Sequence, residues 1–326
     1  MRAVGIFLSI FFIGILFFAY RIFSPVHMNV PVMRFSVAPG LSSDQLANEL
    51  AEKGIFRNSI DFSLIHFITP QIAKEGIYYF VEGMSEYEIY RALAAGPVRK
   101  EKIITIIEGW TLHDIAEYLS GQGFESPGVF IATATQDWSA SHSFLQRAQG
   151  LSSLEGYLFP DTYRVYEDSS SRDIIGKMLL NFDKKFSSEM KHDIQNNGRT
   201  IHEVVTLASI IEREVPKDQD RVLVSDIFLR RLKKNMALQA DSTVNYVTGK
   251  SSPQVSLSDT SIDSPYNTYK YRGLPPGPIG NPSLSSLRAA IYPQPNPYFY
   301  FLTGKDGRVH YSKTFEEHKK KKDMYL

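Results

Sequence analysis

Two stretches of the chain repeat one pattern of apolar and polar positions at an offset of 69 residues. Residues 35–55 and residues 104–124 each begin with a short apolar run, pass a glycine, and continue with apolar positions at helical spacing. This order predicts a strand, a turn and an amphipathic helix in each stretch. Ser42 or Ser43 and Thr111 are the expected helix caps. The predicted buried faces are Leu46, Ala47 and Leu50 in the first helix and Ile115, Ala116 and Leu119 in the second.

The remaining pattern is mainly helical, with predicted helices over residues 173–185, 200–215 and 220–234. A region rich in Pro, Gly and Tyr, residues 264–297, is too long for a simple connection. Residues 298–302 and 309–311 flank a Gly-containing turn and predict a β-hairpin. A last helix is expected over residues 314–325. Its lysine run, residues 319–322, is expected to face solvent, with contact to a membrane surface as the alternative.

The amino-terminal segment predicts a membrane anchor. Residues 3–20 carry no charge, and at about 1.5 Å per residue they span about 27 Å, close to the thickness of the bilayer hydrocarbon. The alternative is a cleaved signal peptide, but the apolar run is long and no A-x-A-like site follows. Arg2 favours an amino terminus on the cytoplasmic side of the cytoplasmic (inner) membrane. The expectation is a single-pass anchor with an extracytoplasmic body.

Composition narrows the possible functions. The 326 residues include no cysteine, which excludes disulfides, thiol nucleophiles and Cys-ligated metal sites. A net charge of +1 argues against nucleic acid as a partner. His202 and Glu203 lack the second histidine of a zinc-protease motif, and the chain has no phosphate-binding loop or serine-hydrolase elbow. No cofactor and no metal are expected.

Glu212 is the first candidate for chemistry. Thr200 and Glu203 form a capping-box pattern that begins its helix. At about 100° per residue, Glu212 falls between Ile201 and Val205, on the flank of the apolar stripe. The stripe itself comprises Ile201, Val204, Leu207, Ala208, Ile211 and Val215.

Two interpretations of Glu212 remain open on this pattern. Burial without a partner raises the pKa of a carboxyl and lets it donate a proton near neutral pH. Alternatively, the side chain forms a salt bridge to a nearby basic residue.

Several ordered motifs resemble one family, the endolytic murein transglycosylases (YceG-like). Besides LASIIERE around Glu212, they are LEGYLFPDTYRV (residues 154–165), LQADSTVNY (238–246), SPYNTY (264–269), GLPPGPIGNPS (273–283), SLRAA–YP (286–293) and PYFYF (297–301). The resemblance covers the chain from about residue 35 to its end. In addition, residues 35–55 resemble a LysM-type glycan-binding unit, with two ordinary packed βα units as the alternative.

The resemblance implies cleavage of the β-1,4 bond between N-acetylmuramic acid and N-acetylglucosamine in peptidoglycan strands, leaving a 1,6-anhydro end. It assigns catalysis to Glu212, acting first as acid and then as base. A hydrolytic muramidase, which needs a second carboxylate, is one alternative. A non-catalytic peptidoglycan-binding scaffold is another. The implied role is termination of nascent glycan strands near the cell-wall synthesis machinery.

The other motifs are expected to line a glycan groove, or else to serve structure. The candidate substrate-binding residues are Glu155, Tyr157, Asp161, Gln239, Asp241, Tyr266, Asn267 and Tyr269. Glu155 and Asp241 are also secondary candidates for a catalytic carboxylate. The expected fold class is α+β. Its predicted parts are a cytoplasmic tail (1–2), a transmembrane anchor (3–23), a linker (24–33), a LysM-like subdomain (34–100) and a catalytic domain (101–326).

Overall fold

The chain folds into two compact units, Met1–Lys100 and Glu101–Leu326, each with its own hydrophobic core. The computed structural model describes residues 2–97, 99–146, 152–250 and 255–326. Met1, part of the predicted cytoplasmic tail, lies outside these residues. Helices and antiparallel strand pairs occur in both units, which confirms the α+β class.

In the first unit, two helices follow one another along the chain between the two strands of an antiparallel pair. Val32 lies opposite Val81, and Val37 lies opposite Gly76. The elements are α1 (Arg2–Phe23), β1 (Val32–Val37), α2 (Ser43–Glu52), α3 (Ser59–Ile68), β2 (Gly76–Val81) and α4 (Glu86–Ala95).

The beginning and the buried face of α2 confirm the sequence pattern. Ser42 caps the helix, its side chain accepting from the backbone N–H of Gln45 while the Gln45 side chain accepts from Ser42 N–H. The predicted face, Leu46, Ala47 and Leu50, is buried.

The transmembrane anchor predicted for residues 3–23 stays a prediction. In the part of the chain that the structure describes, no helix combines the length and the apolar character needed to cross a membrane.

The second unit is mainly helical. Its helices are α5 (Leu112–Gly121), α6 (Pro127–Ala134), α7 (Ser143–Gln146), α8 (Ser171–Lys185), α9 (Ser188–Asn196), α10 (Ile201–Glu214), α11 (Asp218–Lys233), α12 (Asp241–Thr248), α13 (Leu284–Ile291) and α14 (Phe315–Tyr325). Its strands are β3 (Glu101–Thr105), β4 (Thr162–Tyr166), β5 (Tyr300–Thr303) and β6 (Val309–Ser312). The predicted helices α8, α10, α11 and α14 and the β5–β6 hairpin are confirmed.

The repeated stretches form similar elements in different units. Thr111 caps α5 as predicted, in a capping box with Asp114, and Ile115, Ala116 and Leu119 are buried. The two strands of the repeat nevertheless pair with different partners, β1 with β2 and β3 with β4. The repeat is therefore one of local structure and does not build a common sheet.

Helix α10 lies in the core of the second unit and is packed against α9, α11, α12 and α13. Every predicted stripe position is buried, and so are Thr206 and Ser209. The Ser209 hydroxyl donates to the Thr206 carbonyl (2.8 Å) and accepts from Ile279 N–H (3.0 Å). The expectation of a helix with one apolar stripe is thus incomplete, because the middle of α10 is enclosed on all sides. Glu212 lies where the helix leaves this enclosure.

Candidate active site

The carboxylate of Glu212 is held by three hydrogen bonds from two residues. Its Oε1 accepts from Arg221 Nη2 at 2.7 Å. Its Oε2 accepts from the backbone N–H of Ser283 at 2.8 Å and from the Ser283 hydroxyl at 2.5 Å. The side chain is 6% exposed. Of the two interpretations left open by the sequence, the structure shows the ion-paired glutamate.

Ser283 brings the amino terminus of α13 to this carboxylate. It is the N-cap of α13, and its hydroxyl oxygen accepts from Ser286 N–H at 3.2 Å while its hydrogen is donated to Glu212. A helix amino terminus carries partial positive charge, which stabilises a nearby anion. The contacts of Glu212 are therefore those of an ionised carboxylate.

Arg221 divides its guanidinium between two carboxylates. While Nη2 bonds Glu212, Nη1 bonds Asp218 Oδ1 at 3.0 Å and Ser283 Oγ at 3.2 Å. Its Nε donates to the carbonyl of Val215 at 3.3 Å, just beyond the end of α10. The Arg221 side chain is largely buried, whereas that of Asp218 is 77% exposed.

Beside Glu212, the backbone at Gly109 packs closely against the backbone at Gly280 and Asn281, and we call this contact the backbone crossing. The N–H of Gly109 donates to the carbonyl of Asn281 at 2.8 Å. A Cβ at Gly280 would lie 2.6 Å from the carbonyl oxygen of Gly109, so only glycine fits there without a shift. A Cβ at Gly109 would in turn meet the Glu212 Cγ at 3.7 Å. The turn before α5 and the segment before α13 therefore pack directly against the candidate residue.

Glu155 is a second buried carboxyl, and no cation is among its hydrogen-bond partners. Both of its oxygens accept from Leu112 N–H at the start of α5 (3.2 and 3.1 Å), and Tyr246 Oη and Asn281 Nδ2 each lie 3.4 Å away. Burial raises its pKa to about 8. With 6% exposure, Glu155 joins α5 to the segment before α13. Its contacts are those of a structural carboxyl, not those of a groove residue.

Tyr157 and Asn267, both predicted to contact sugar, lie in the interior. Tyr157 is 0% exposed, its hydroxyl is bonded to His202 Nδ1 at 3.0 Å, and burial raises its pKa. Asn267 is 1% exposed and donates to the carbonyls of Thr260 (2.9 Å) and Ile262 (2.8 Å). The structural alternative applies to both residues, since neither presents a side chain to a ligand.

Asp161 lies in an open groove between β4 and α8 that is also lined by Lys177. It accepts from Asn181 Nδ2 at 3.0 Å and from Thr162 N–H at 2.8 Å. Partial burial disfavours its ionised form, but these hydrogen bonds and the charge of Lys185, 3.7 Å away, together lower its pKa.

Three predicted residues meet at the start of α12. Asp241 is the first residue of the helix and accepts a hydrogen bond from the Tyr269 hydroxyl. Gln239 has φ of +52°, a left-handed conformation that non-glycine residues rarely adopt, and its side chain is exposed. Burial and the bond to Asp241 raise the pKa of Tyr269. These residues form a partly exposed polar cluster.

The start of α12 also binds Glu214, the last residue of α10. Its Oε1 accepts from the N–H (3.2 Å) and the hydroxyl (2.7 Å) of Ser242. Burial raises the pKa of Glu214. Glu212 and Glu214 therefore point to different neighbours, α11 with the segment before α13 in the first case and α12 in the second.

Tyr266 packs its half-buried ring against Tyr246, with ring centres 5.2 Å apart. Burial, with a contribution from the charge of Glu155, raises its pKa. Because Tyr246 also contacts Glu155, three residues from separate sequence motifs meet here.

The structure adds two residues that the sequence analysis missed, Arg221 and Ser283. Ser283 ends the quoted GLPPGPIGNPS motif, and Arg221 lies in a predicted helix, but nothing in their spacing indicates contact with Glu212. Among the described residues, no group of three or more His, Asp or Glu side chains is arranged to hold a metal ion.

Comparisons with known proteins agree on one family. A model of the YceG-like family matches residues 35–324. An endolytic murein transglycosylase of Bacillus subtilis (strain 168) is 31% identical over 312 residues, which cover 92% of this chain and 85% of that protein. The protein of the same name from Streptococcus pneumoniae (strain D39) is 30% identical over 310 residues, which cover 86% of this chain and 56% of that longer protein.

A solved structure gives the same result at the level of the fold. The crystal structure of a yceG-like protein from Listeria monocytogenes superposes with a TM-score of 0.61 at 31% identity. The match covers 89% of this chain and 98% of the Listeria chain. The chain therefore belongs to the YceG-like family.

Proposed function

We propose that this chain is an endolytic murein transglycosylase, a lyase that cleaves the β-1,4 bond between N-acetylmuramic acid and N-acetylglucosamine within peptidoglycan strands. Family membership and relatives that carry this name support the activity. The observation that carries the proposal is Glu212, a carboxylate held at the end of a buried helix by Arg221 and Ser283.

Glu212 performs both proton transfers of this reaction. In its acid form it protonates the glycosidic oxygen as the bond from that oxygen to the muramyl anomeric carbon breaks. The resulting carboxylate then removes the proton of the muramyl 6-hydroxyl, whose oxygen bonds to the anomeric carbon and closes the 1,6-anhydro ring. No water enters, and the proton that Glu212 gave is recovered. Arg221 and Ser283 stabilise the carboxylate between the two transfers.

A hydrolytic muramidase is the second candidate, and one observation favours it. Asp218 shares Arg221 with Glu212 and could supply the second carboxylate that hydrolysis needs. Digestion of purified glycan strands followed by mass spectrometry separates the two reactions. The transglycosylase gives 1,6-anhydromuramic ends, and products bearing only reducing muramic ends would overturn the lyase assignment.

The finer parts of the proposal concern the first unit. The order β1–α2–α3–β2, with its antiparallel strand pair, supports a LysM-like glycan-binding role. The uncharged residues 3–20 support a single-pass anchor in the cytoplasmic membrane, with the enzymatic body outside it and near the cell-wall synthesis machinery. Protease added to spheroplasts would digest an external body. A body that stays protected would contradict this topology.

A further inference from the structure

We propose that Arg221 is a positioning residue for Glu212 and that Asp218 controls how strongly Arg221 acts on Glu212. The proposal rests on the proposed function for its catalytic readout, but its structural basis is independent. One guanidinium serves two carboxylates of very different exposure, the enclosed Glu212 and the solvent-facing Asp218.

Hydrogen bonds occupy both carboxylate oxygens of Glu212. Its Oε1 contacts Arg221 Nη2 and its Oε2 contacts Ser283, so both oxygens have donors. A carboxyl that is to donate a proton to a glycosidic oxygen must expose one oxygen and must bind a proton. Ser283 holds Oε2 partly through its backbone N–H, which cannot turn away as a side chain can. Both requirements are therefore met when the Arg221 guanidinium moves away from Oε1.

Asp218 provides the position to which the guanidinium can withdraw. It already accepts from Arg221 Nη1 at 3.0 Å, and its Oδ1 also accepts from the Ser285 hydroxyl at 2.6 Å. Asp218 is the first residue of α11, whose amino-terminal partial charge supports a carboxylate there. Arg221 can therefore weaken its bond to Glu212 while keeping a charged partner.

The charged groups around Glu212 are few in the described residues. On its own helix, Arg213 turns to the carbonyl of Ile279 (3.2 Å), and Glu214 turns to Ser242 on α12, next to Asp241. The segment before α13 contributes the uncharged Ser283.

Helix α11 contributes Arg221 and Asp218. Of the charged residues named here, only Arg221 is a cation that bonds the Glu212 carboxylate. The balance between these two residues therefore decides the charge experienced by Glu212.

The test uses Arg221→Met and Asp218→Asn in the full-length chain. With Glu212 as the acid, kcat/KM on glycan strands falls as pH rises through its titration. Removing the cation moves this alkaline limb to higher pH, because a positive charge in contact with a carboxyl favours its ionised form. Asp218→Asn moves it to lower pH by a smaller amount, because Asp218 is exposed.

Matched controls lie on the same helix. Arg230 bonds Asp226 at 2.9 Å and also binds the chain near Tyr298, so Arg230→Met and Asp226→Asn remove an Arg–Asp ion pair of the same helix that does not contact Glu212. These controls leave the alkaline limb in place. If Arg221→Met lowers the melting temperature as Arg230→Met does and moves the limb no further, Arg221 is only structural and the proposal is wrong.

A second readout does not depend on catalysis. The Ser283 N–H donates to Glu212, so its amide resonance in selectively 15N-serine-labelled chain follows the protonation of that carboxyl. Its pH midpoint should rise in Arg221→Met and fall in Asp218→Asn. Unchanged midpoints in both variants would overturn the positioning proposal. A parent chain that cleaves no glycan but shows these shifts would instead overturn the proposed function.

Discussion

The Ser283 hydroxyl lies 2.5 Å from Glu212 Oε2, and the oxygen of this hydroxyl also caps helix α13. One side chain thus fixes the start of a helix and one face of the candidate catalytic carboxylate. Any change at Ser283 should therefore affect stability and catalysis together, whereas an ordinary N-cap affects stability alone.

Ser283→Ala tests this double role. Loss of an N-cap hydroxyl costs about 0.5–2 kcal/mol of unfolding free energy. We expect a fall in kcat of about tenfold in addition, because Glu212 loses its hydroxyl donor. Ser187, which caps α9 through Met190 N–H, supplies the control. Ser187→Ala should cost similar stability with kcat unchanged. Equal kcat values for the two variants would contradict the role of Ser283 at Glu212.

Glu212→Gln should abolish glycan cleavage. The amide keeps the size of the side chain but cannot transfer a proton, and general acid–base catalysis contributes about 10²–10⁴-fold in rate. Release of soluble fragments from purified strands is the measurement. Glu203→Gln, in the capping box of the same helix, should retain cleavage. Cleavage at the parental rate by Glu212→Gln would show that another residue is the acid.

Glu155 should make stability fall as pH rises. Its pKa is about 8 in the folded chain against an ordinary value of 4.5, so the folded state binds the extra proton between these pH values. The unfolding free energy is then highest below about pH 4.5 for this group and decreases up to about pH 8, by roughly 5 kcal/mol.

Glu155→Gln removes this titration. We expect a flatter dependence of unfolding free energy on pH over that window, measured by urea unfolding at several pH values. A variant with the parental slope would exclude Glu155 as its source.

Gly280→Ala should disturb the backbone crossing beside Glu212. Its Cβ would lie 2.6 Å from the Gly109 carbonyl oxygen, so the backbone crossing must open. We expect a loss of about 1–3 kcal/mol in unfolding free energy and a lower kcat. Gly128→Ala in α6 meets nothing within 4 Å and should leave both nearly unchanged. Parental kcat in Gly280→Ala would show that the crossing does not position Glu212.

Local features of the chain were predictable from its sequence. The capping box of Thr200 and Glu203 and the stripe of α10 depend on neighbours within one or two turns, and the structure confirms both. Helix α13 was missed because its eight residues lie inside the region rich in Pro and Gly. The enclosure of α10 was also missed, because Ser209 reads as a polar position although its hydroxyl donates within its own helix, which allows it to be buried.

The site was only partly predictable. Ser283 is 71 residues from Glu212 along the chain, and Arg221 reaches it across the turn between two helices, so both contacts depend on tertiary packing. Tyr157 and Asn267 were placed in a groove because phenol and amide groups suit sugars. The same groups also form hydrogen bonds inside a core, as Tyr157 does with His202 and Asn267 does with backbone carbonyls, and residue type alone does not distinguish the two situations.

The enclosure of α10 determines how its amide hydrogens exchange with solvent. Helices surround its middle, so we expect those amides to exchange only when the second unit as a whole unfolds. Glu212 is attached to a helix whose middle is buried. Its geometry should therefore persist up to the melting transition, and heat inactivation should coincide with loss of the fold.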